Sequence, residues 1–551
     1  MPRSAPSPGS SVRCTTACRR LAGVGVLLLA GLSPLACGYH LAGSQIVVPG
    51  DIHSVSIGHF DNLSRRLPND WSLMKGRSFG QDDFGAYRFQ LAYMLYALAL
   101  THLHRLPAAP GFFKPVYGRL FEKLLLPEVW TYWHDSSRGG SIFNQHLAHS
   151  YKEEWDPVVR DNIMFSAYVQ SLSLLFNYLF ADDRFAKPGS LRFKFWSYFW
   201  GGEPKVFAYD QNSLNEHIYW LMVQSGYVGV ACEPNCVFQI CNQPAILGFR
   251  LHDLLTGGSR AEEVTKGYEL AWREFGRLGD DGHYNMMVSE DTKAVRPNVG
   301  KSPWVDAWCG ALMNMWNRDF VRLHYPSQIR ELVVEGADGA LSVRVRPRPE
   351  VMGERVVTDD CDFGWVAVWA SEMGDASTLN GLLRHADRFM NPTWLDRGLY
   401  YPRNDQTEDA FGNRTLMEPH TGNTLLGYAR LNVPDGLWRL FNEPLDIGFF
   451  KNPALIRVAE NVDVQRAVFI DDTLHFRLAS QDGERGDGNI TVGRLVDRSS
   501  WVLDCDGHEI ACGNGGKVTT SPSDASVAAE ADGVSVRCPS LGVHDFEMTF
   551  T

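Results

Sequence analysis

No Cys-x-x-Cys pair occurs anywhere among the 11 cysteines of this chain, so the paired soft-ligand knuckles of structural zinc are missing. Beyond residue 40 no apolar run approaches the ~20 residues that a membrane-spanning helix needs. Positive charge is in deficit: 52 Lys and Arg stand against 64 Asp and Glu, a net charge of −12, which excludes a nucleic-acid footprint. From residue 84 to 320, strand-length apolar runs never alternate with the helices, which argues against a doubly wound α/β sheet. What is present is length and apolar mass. The 551 residues are 44% apolar, more than one compact core usually holds, and the 12% of aromatic residues can line a pocket as well as pack helices.

The first 36 residues read as an export signal. "CRRLAGVGVLLLAGLSPLAC" places Arg19 and Arg20 before a short apolar core and then small residues before Cys37. "LSPLAC" resembles a bacterial lipobox, with Pro34 where an aliphatic residue is expected, so a lipid on Cys37 would anchor the protein to the outer membrane. The expected location is exported, either periplasmic or anchored in this way. Residues 37–65 resemble the mature N-terminus of the outer-membrane lipoprotein that partners the lipopolysaccharide-assembly barrel, through a Cys-Gly-Tyr start and an alternating strand. Residues 37–79 therefore form a lipoprotein-like N-terminal segment.

Helical spacing dominates from there. "FGAYRFQLAYMLYALALTHLH", "RDNIMFSAYVQSLSLLFNYLF", "PAILGFRLHDLLTGG", "AEEVTKGYELAWREFGRLG", "PWVDAWCGALMNMWNRDF" and "CDFGWVAVWASEMGD" each carry apolar residues at helical intervals, with Gly-rich punctuation between them. Asp82 or Asp83 is placed to cap the first of these, and "SQIRELVVEGADGALSVRVRPRP" is a short β excursion. The succession predicts a mainly α fold, an (α/α)6-type barrel (toroid) over residues 80–449. After Phe450 the texture alternates between Gly/Asp turns, which predicts a small β domain over 450–551. Cys505, Cys512 and Cys538 fall there, and in an exported protein two of them would pair.

"ACEPNCVFQICNQ" (231–243) concentrates three cysteines in ten residues. Their spacings, C-x3-C and C-x4-C, suit zinc poorly, and a Cys232–Cys241 disulfide is one alternative. Thiol acid–base chemistry is the other. Pro244 belongs in a first helical turn, so a helix begins near Asn242 as its cap and residues 231–241 form its entry. In an α/α barrel such entries ring the central cavity. Burial there raises thiols and carboxyls alike, so that a neutral thiol or a protonated Glu233 can donate a proton to a substrate hydroxyl.

"GVACEPNCVFQICN", with "DNIMFSAY" and "SPWVDAW", resembles the linalool dehydratase/isomerase family over about residues 80–442. The resemblance implies a cofactor-independent α/α-barrel hydro-lyase/isomerase, without a metal. It would interconvert an allylic terpene-like alcohol and its diene, and a homo-oligomer is expected. Cys232 and Cys241 match the family's paired thiols for proton transfer, Glu233 the acidic neighbour, Phe238 a pocket wall, and Met164 the methionine opening the "NIM" helix. Tyr168 stands where the family has an acid–base His, and completes the catalytic set. Phe89 stands where the family has a Tyr, with Tyr87 one register away. Trp308 replaces a pocket Tyr and Leu312 a pocket Trp. The Asp, Tyr and Cys that the family takes from a neighbouring subunit have no match before Gly80, and Cys236 is extra. The implied substrate is an alcohol other than linalool, larger or more polar.

Other residues could reach a substrate. Asp306, between Trp304 and Trp308, is an acid–base candidate. His283 and Tyr284 in "GHYNMMVSED" and His420 in "MEPHTGN" lie between helices, where pocket loops occur, and Trp130, Trp133 and His134 could line a rim. Helical toroids followed by β domains also host glycoside hydrolases, sugar epimerases and polysaccharide lyases, which makes a carbohydrate-active enzyme the alternative. A non-catalytic envelope lipoprotein rests on residues 37–65 alone.

Overall fold

The computed structural model describes residues 53–551, apart from 201, 346–349, 352–353, 356–358, 481–487, 497, 499, 515–516, 521–525 and 539–541. The export signal, Cys37 and the start of the lipoprotein-like segment lie outside the described residues.

The helical body is assembled from α1 (His53–Arg65), α2 (Tyr87–His104), α3 (Pro110–Leu124), α4 (Ile163–Phe180), α5 (Gln211–Gln224), α6 (Gln243–Thr256) and α7 (Arg260–Phe275). It continues with α8 (Pro303–Met313), α9 (Arg318–Leu332), α10 (Asp362–Met373), α11 (Ala376–Phe389), α12 (Leu426–Leu431) and α13 (Gly436–Asn442). The even-numbered helices pack side by side in a closed circle: α2 on α4, then α6, α8, α10 and α12, which returns to α2. Their sequences explain the placement. In α2, α4 and α10 almost every residue is buried, the mark of a helix with no solvent face. Helix α4 is long and apolar enough to cross a membrane, but 89% of it is buried among its neighbours, as in a core helix of a soluble body. Odd-numbered helices lie outside the circle and are one-sided. In α7 only Ala261, Val264, Tyr268 and Trp272 are buried, at intervals of three and four residues.

The start of α2 corrects the expected cap. Ala86 is the N-cap residue, without a side-chain bond, and the Gln81 side chain accepts from Tyr87 N at 2.9 Å. Asp83 instead accepts from Gly85 N. The stretch expected as an alternating strand through residue 65 ends in helix α1, which packs on α3 and α12. Its apolar residues Ile57, Phe60 and Leu63 recur at helical spacing and are fully buried.

The β region begins at Ala454 and comprises two antiparallel sheets, of four and six strands. It is joined to the helical body through the turn before α3, where Leu455 N donates to Ala108 O and Ala108 N to Ala467 O. Cys512 is a free thiol and takes no part in the expected disulfide, and the Cys538 side chain lies outside the described residues.

Candidate active site

The cysteine-bearing loop is fixed from both ends. Asn162 N and Ile163 N, at the start of α4, donate to Cys232 O and Ala231 O at 3.0 and 3.2 Å. Within the loop, Cys232 N bonds Cys236 O and Cys236 N bonds Glu233 O, a tight turn that points neighbouring side chains apart. Asn242 occupies the N-cap position of α6 as expected, but its side chain caps nothing. It is turned back into the loop. Its Oδ1 accepts from Val230 N at 2.9 Å, and its Nδ2 donates to Val230 O and Phe238 O at 3.1 and 3.0 Å. Gly229 lies against that amide with φ +120°, and a Cβ there would stand 2.6 Å from Asn242 Nδ2, so the close approach requires glycine.

Cys232 and Cys241 are free thiols, not a disulfide, and lie close enough to shift each other's titration. The Cys241 thiol, then burial, then the neighbouring Glu233 carboxyl push the Cys232 thiol well above its ordinary range. Burial raises Cys241, with the Cys232 thiol pulling the other way. Glu233 is raised by burial, opposed by Arg88 and by the Cys232 thiol. Both thiols are therefore held neutral near neutral pH, and the three groups are near neighbours. Arg88 is a buried cation beside these groups. Its guanidinium lies 3.9 Å over the Tyr132 ring and 4.3 Å over the Phe89 ring. The Tyr132 hydroxyl donates to Asn162 Oδ1 at 2.6 Å, tying the 127–136 segment to the start of α4.

Inside the circle of helices an aromatic box adjoins the thiols. Phe89 meets Trp308 edge-on at 5.5 Å and Tyr168 edge-on at 6.4 Å, and Trp308 stacks on Trp365 at 4.4 Å. At its centre the Tyr93 hydroxyl receives Trp308 Nε1 at 2.6 Å and the Tyr168 hydroxyl at 3.4 Å. Burial above all, with neighbouring phenols and Cys241 adding to it, keeps both tyrosines protonated. Cys241 is thus the thiol whose charge both box tyrosines feel.

The expected residues fall into two groups. Cys232, Glu233 and Cys241 come together, and Phe89, Tyr168 and Trp308 gather beside them. Met164 lies buried on the first turn of α4, next to the residues that hold the loop. Leu312 is buried further along α8 than Trp308. Tyr87 points away from the box and stacks on Trp71 at 4.3 Å, so the shifted register does not apply. Phe238 faces Phe143 at 5.8 Å, on the side of the loop where Cys236 accepts from Asn144 Nδ2 and shares a hydrogen bond with the Ser141 hydroxyl. Cys236 is pushed up to about 12, mainly by burial. Asp306 and His283 engage each other instead of the thiols: His283 Nδ1 and Asp306 Oδ2 are 2.6 Å apart, and the second carboxyl oxygen accepts from Tyr284 N at 2.8 Å. These bonds fasten the 283–285 loop to α8. The Tyr284 ring packs on Phe320. Trp130 and Trp133 are fully buried packing residues.

Four residues at the site were missed by the sequence reading. Tyr93 lies one helical turn after Phe89, a spacing that could have revealed it, and Arg88 is Phe89's neighbour. Trp365 and Tyr132 carry no local signal, because only the closed circle and the 127–136 turns bring them near. Among the described residues the cysteine loop does not gather three metal-type ligand atoms. The group that does so is Cys505, Asp506 and His544, in the β region.

Comparison with solved structures gives distant likenesses. An inactive variant of an α-1,6-mannanase of Salegentibacter sp. HEL1_6, in complex with α-1,6-mannotriose, is 10% identical, covers 70% of this chain and 99% of its own, and has a TM-score of 0.39. An endoglucanase of Clostridium thermocellum complexed with cellotriose is 9% identical, covers 91% of this chain and 92% of its own, with a TM-score of 0.33. Scores this low say nothing of substrate. The family comparison is of another order, because the linalool dehydratase/isomerase model matches residues 88–407, which take in Arg88, Phe89, Tyr93, Tyr168, the whole cysteine loop, Trp308 and Trp365. This chain belongs to the linalool dehydratase/isomerase family.

Proposed function

We propose that the closed circle of helices is an (α/α)6-type barrel and that the protein dehydrates or isomerises an alkenol without a cofactor. The observation that carries this reading is the close pair of free, buried thiols Cys232 and Cys241, with Glu233 and an aromatic cluster as neighbours. In the dehydration direction a thiol gives its proton to the hydroxyl, the C–O bond breaks, and water leaves. The allylic cation lies against the faces of Phe89 and Trp308, whose π-systems favour positive charge. The carbon beside the cation then loses a proton to the thiolate just formed, directly or through its partner thiol. Alkenol becomes diene plus water, the thiol is regenerated, and no external acid, base or redox partner is consumed. Isomerisation returns the water to the other end of the allyl cation.

Two raised thiols suit this cycle. Raised in this way, both thiols stay protonated at rest and one can start as the donor. Tyr168 is a hydrogen-bond donor to Tyr93 rather than a titrating base, because its hydroxyl is buried and protonated. Here the chain departs from the family's histidine at this position. Purified full-length protein, given isoprenoid allylic alcohols of hemi-, mono- and sesquiterpene size with nothing else added, should release a diene detectable by gas chromatography–mass spectrometry. Failure to convert any of them, in either direction, would overturn the reading.

A further inference from the structure

His420 is the most unusual side chain in the core. It is fully buried, and neither Nδ1 nor Nε2 has a hydrogen-bond partner. Its ring stands 5.7 Å from Tyr93, 6.0 Å from Phe89, 6.2 Å from Trp365 and 6.3 Å from Trp308, so it closes the aromatic box from a side that the family match does not reach. Local structure aims it there. Residues 421–425 form a π-helical turn, a widened turn that changes side-chain register and recurs at functional sites. The Glu418 carboxylate accepts from the backbone N–H groups of His420 and Thr421, which fixes the entry to that turn.

Two further groups in the box have spare hydrogen-bonding capacity. Tyr93 receives hydrogen bonds from both Trp308 and Tyr168, and among the described residues its own proton meets no acceptor. A phenol that accepts twice is polarised and becomes a stronger donor. Trp365 Nε1 is buried without a partner. An unsatisfied buried polar atom costs about 1–3 kcal/mol, so the Tyr93 hydroxyl and the unpartnered nitrogens of His420 and Trp365, gathered in one cluster of rings, form a site primed for a small polar group. A hydroxyl has the matching inventory, one proton to give and lone pairs to receive. Burial holds the imidazole down to about 3, so it stays neutral and can accept the hydroxyl proton as a hydrogen bond.

We propose that Tyr93 and His420 grip the substrate hydroxyl, Tyr93 donating to its oxygen and a His420 nitrogen accepting from its proton. This assignment rests on the alkenol reading above and gives it a polar pole beside Phe89. It places the hydroxyl recognition of this chain on two residues other than the histidine position that Tyr168 fills.

Binding separates this proposal from the chemistry. Intrinsic tryptophan fluorescence of the full chain, with Trp308 and Trp365 in the box, reports titration with isoprenoid allylic alcohols and with the same hydrocarbon skeletons lacking the hydroxyl. Wild type should bind at least one alcohol about tenfold more tightly than its hydrocarbon, the value of one good buried hydrogen bond. His420→Phe and Tyr93→Phe should each remove that preference and leave hydrocarbon affinity within about threefold, which also shows that the box has folded. His420→Asn, which keeps a hydrogen-bonding group, should restore part of the preference. Cys232→Ala with Cys241→Ala should keep the full preference. A preference that survives His420→Phe overturns the proposal alone. Wild-type protein that binds no alcohol better than its hydrocarbon overturns the alkenol reading and this proposal with it.

Discussion

Asn242→Ala should loosen the cysteine loop without touching a thiol. The Asn242 side chain is fully buried and makes three hydrogen bonds, one accepted from Val230 N and two donated to Val230 O and Phe238 O. Alanine leaves one N–H and two carbonyls without partners in a dry site. At about 1 kcal/mol net per bond the loop loses about 3 kcal/mol, and uncompensated desolvation would add to this. Local opening, rather than global unfolding, is the event to measure. Cys236 supplies the probe, because its thiol is fully buried within the loop and reacts with an alkylating reagent only when the loop opens. A loss of about 3 kcal/mol from the opening free energy speeds alkylation about a hundredfold, provided closing outpaces the reagent. Cys309 on α8 is buried outside the loop and serves as the internal reference. Peptide mass spectrometry after timed labelling should show Cys236 accelerated and Cys309 unchanged. Acceleration below about fivefold, or equal acceleration of both thiols, would refute the idea that Asn242 is the staple of the loop.

Cys236→Ser should leave turnover of any accepted alkenol within about threefold, since that thiol is tied to Asn144 and Ser141 and is not hydrogen-bonded to the Cys232–Cys241 pair; a loss above about thirtyfold would place it in the chemistry. His102 is buried and held down to about 4 from 6.5, so the unfolded chain takes up a proton that the folded chain refuses. Its contribution is intact above pH 6.5 and is lost as pH falls toward 4. The stability gap between wild type and His102→Gln, measured by urea unfolding, should therefore shrink by about 3 kcal/mol between pH 7 and pH 4. A pH-independent gap would show that His102 takes up its proton in the fold as readily as in the unfolded chain, and would refute the burial effect.

Helix existence was legible because the apolar spacing is continuous. Residues 163–180 and 362–373 are apolar on every side, which marks them as interior. Register at the ends was less legible. The Gln81 side chain reaches Tyr87 N from six residues away, and no capping pattern encodes such a reach. The Asn242 case is instructive, since Pro244 set the helix start correctly while tertiary contacts redirected the asparagine amide into the loop. At the site, the two thiols and Glu233 could be chosen because they are close in sequence. The box could not, since Tyr93, Trp308, Trp365 and His420 come from four separate segments and meet only when the helices close. Asp306 looked like a free carboxylate between two tryptophans, yet α8 turns it to the outer side, where His283 and the Tyr284 backbone satisfy it.

The rate of the thiol double variant tests the central claim most directly. Single-turnover conversion of an accepted alkenol should be measured for wild type and for Cys232→Ala with Cys241→Ala, at equal saturation of the box by fluorescence. The double variant should bind the alcohol as wild type does and lose at least about a thousandfold in rate, within the range that acid–base groups contribute. A double variant that binds equally and converts the alcohol at the wild-type rate would contradict that claim.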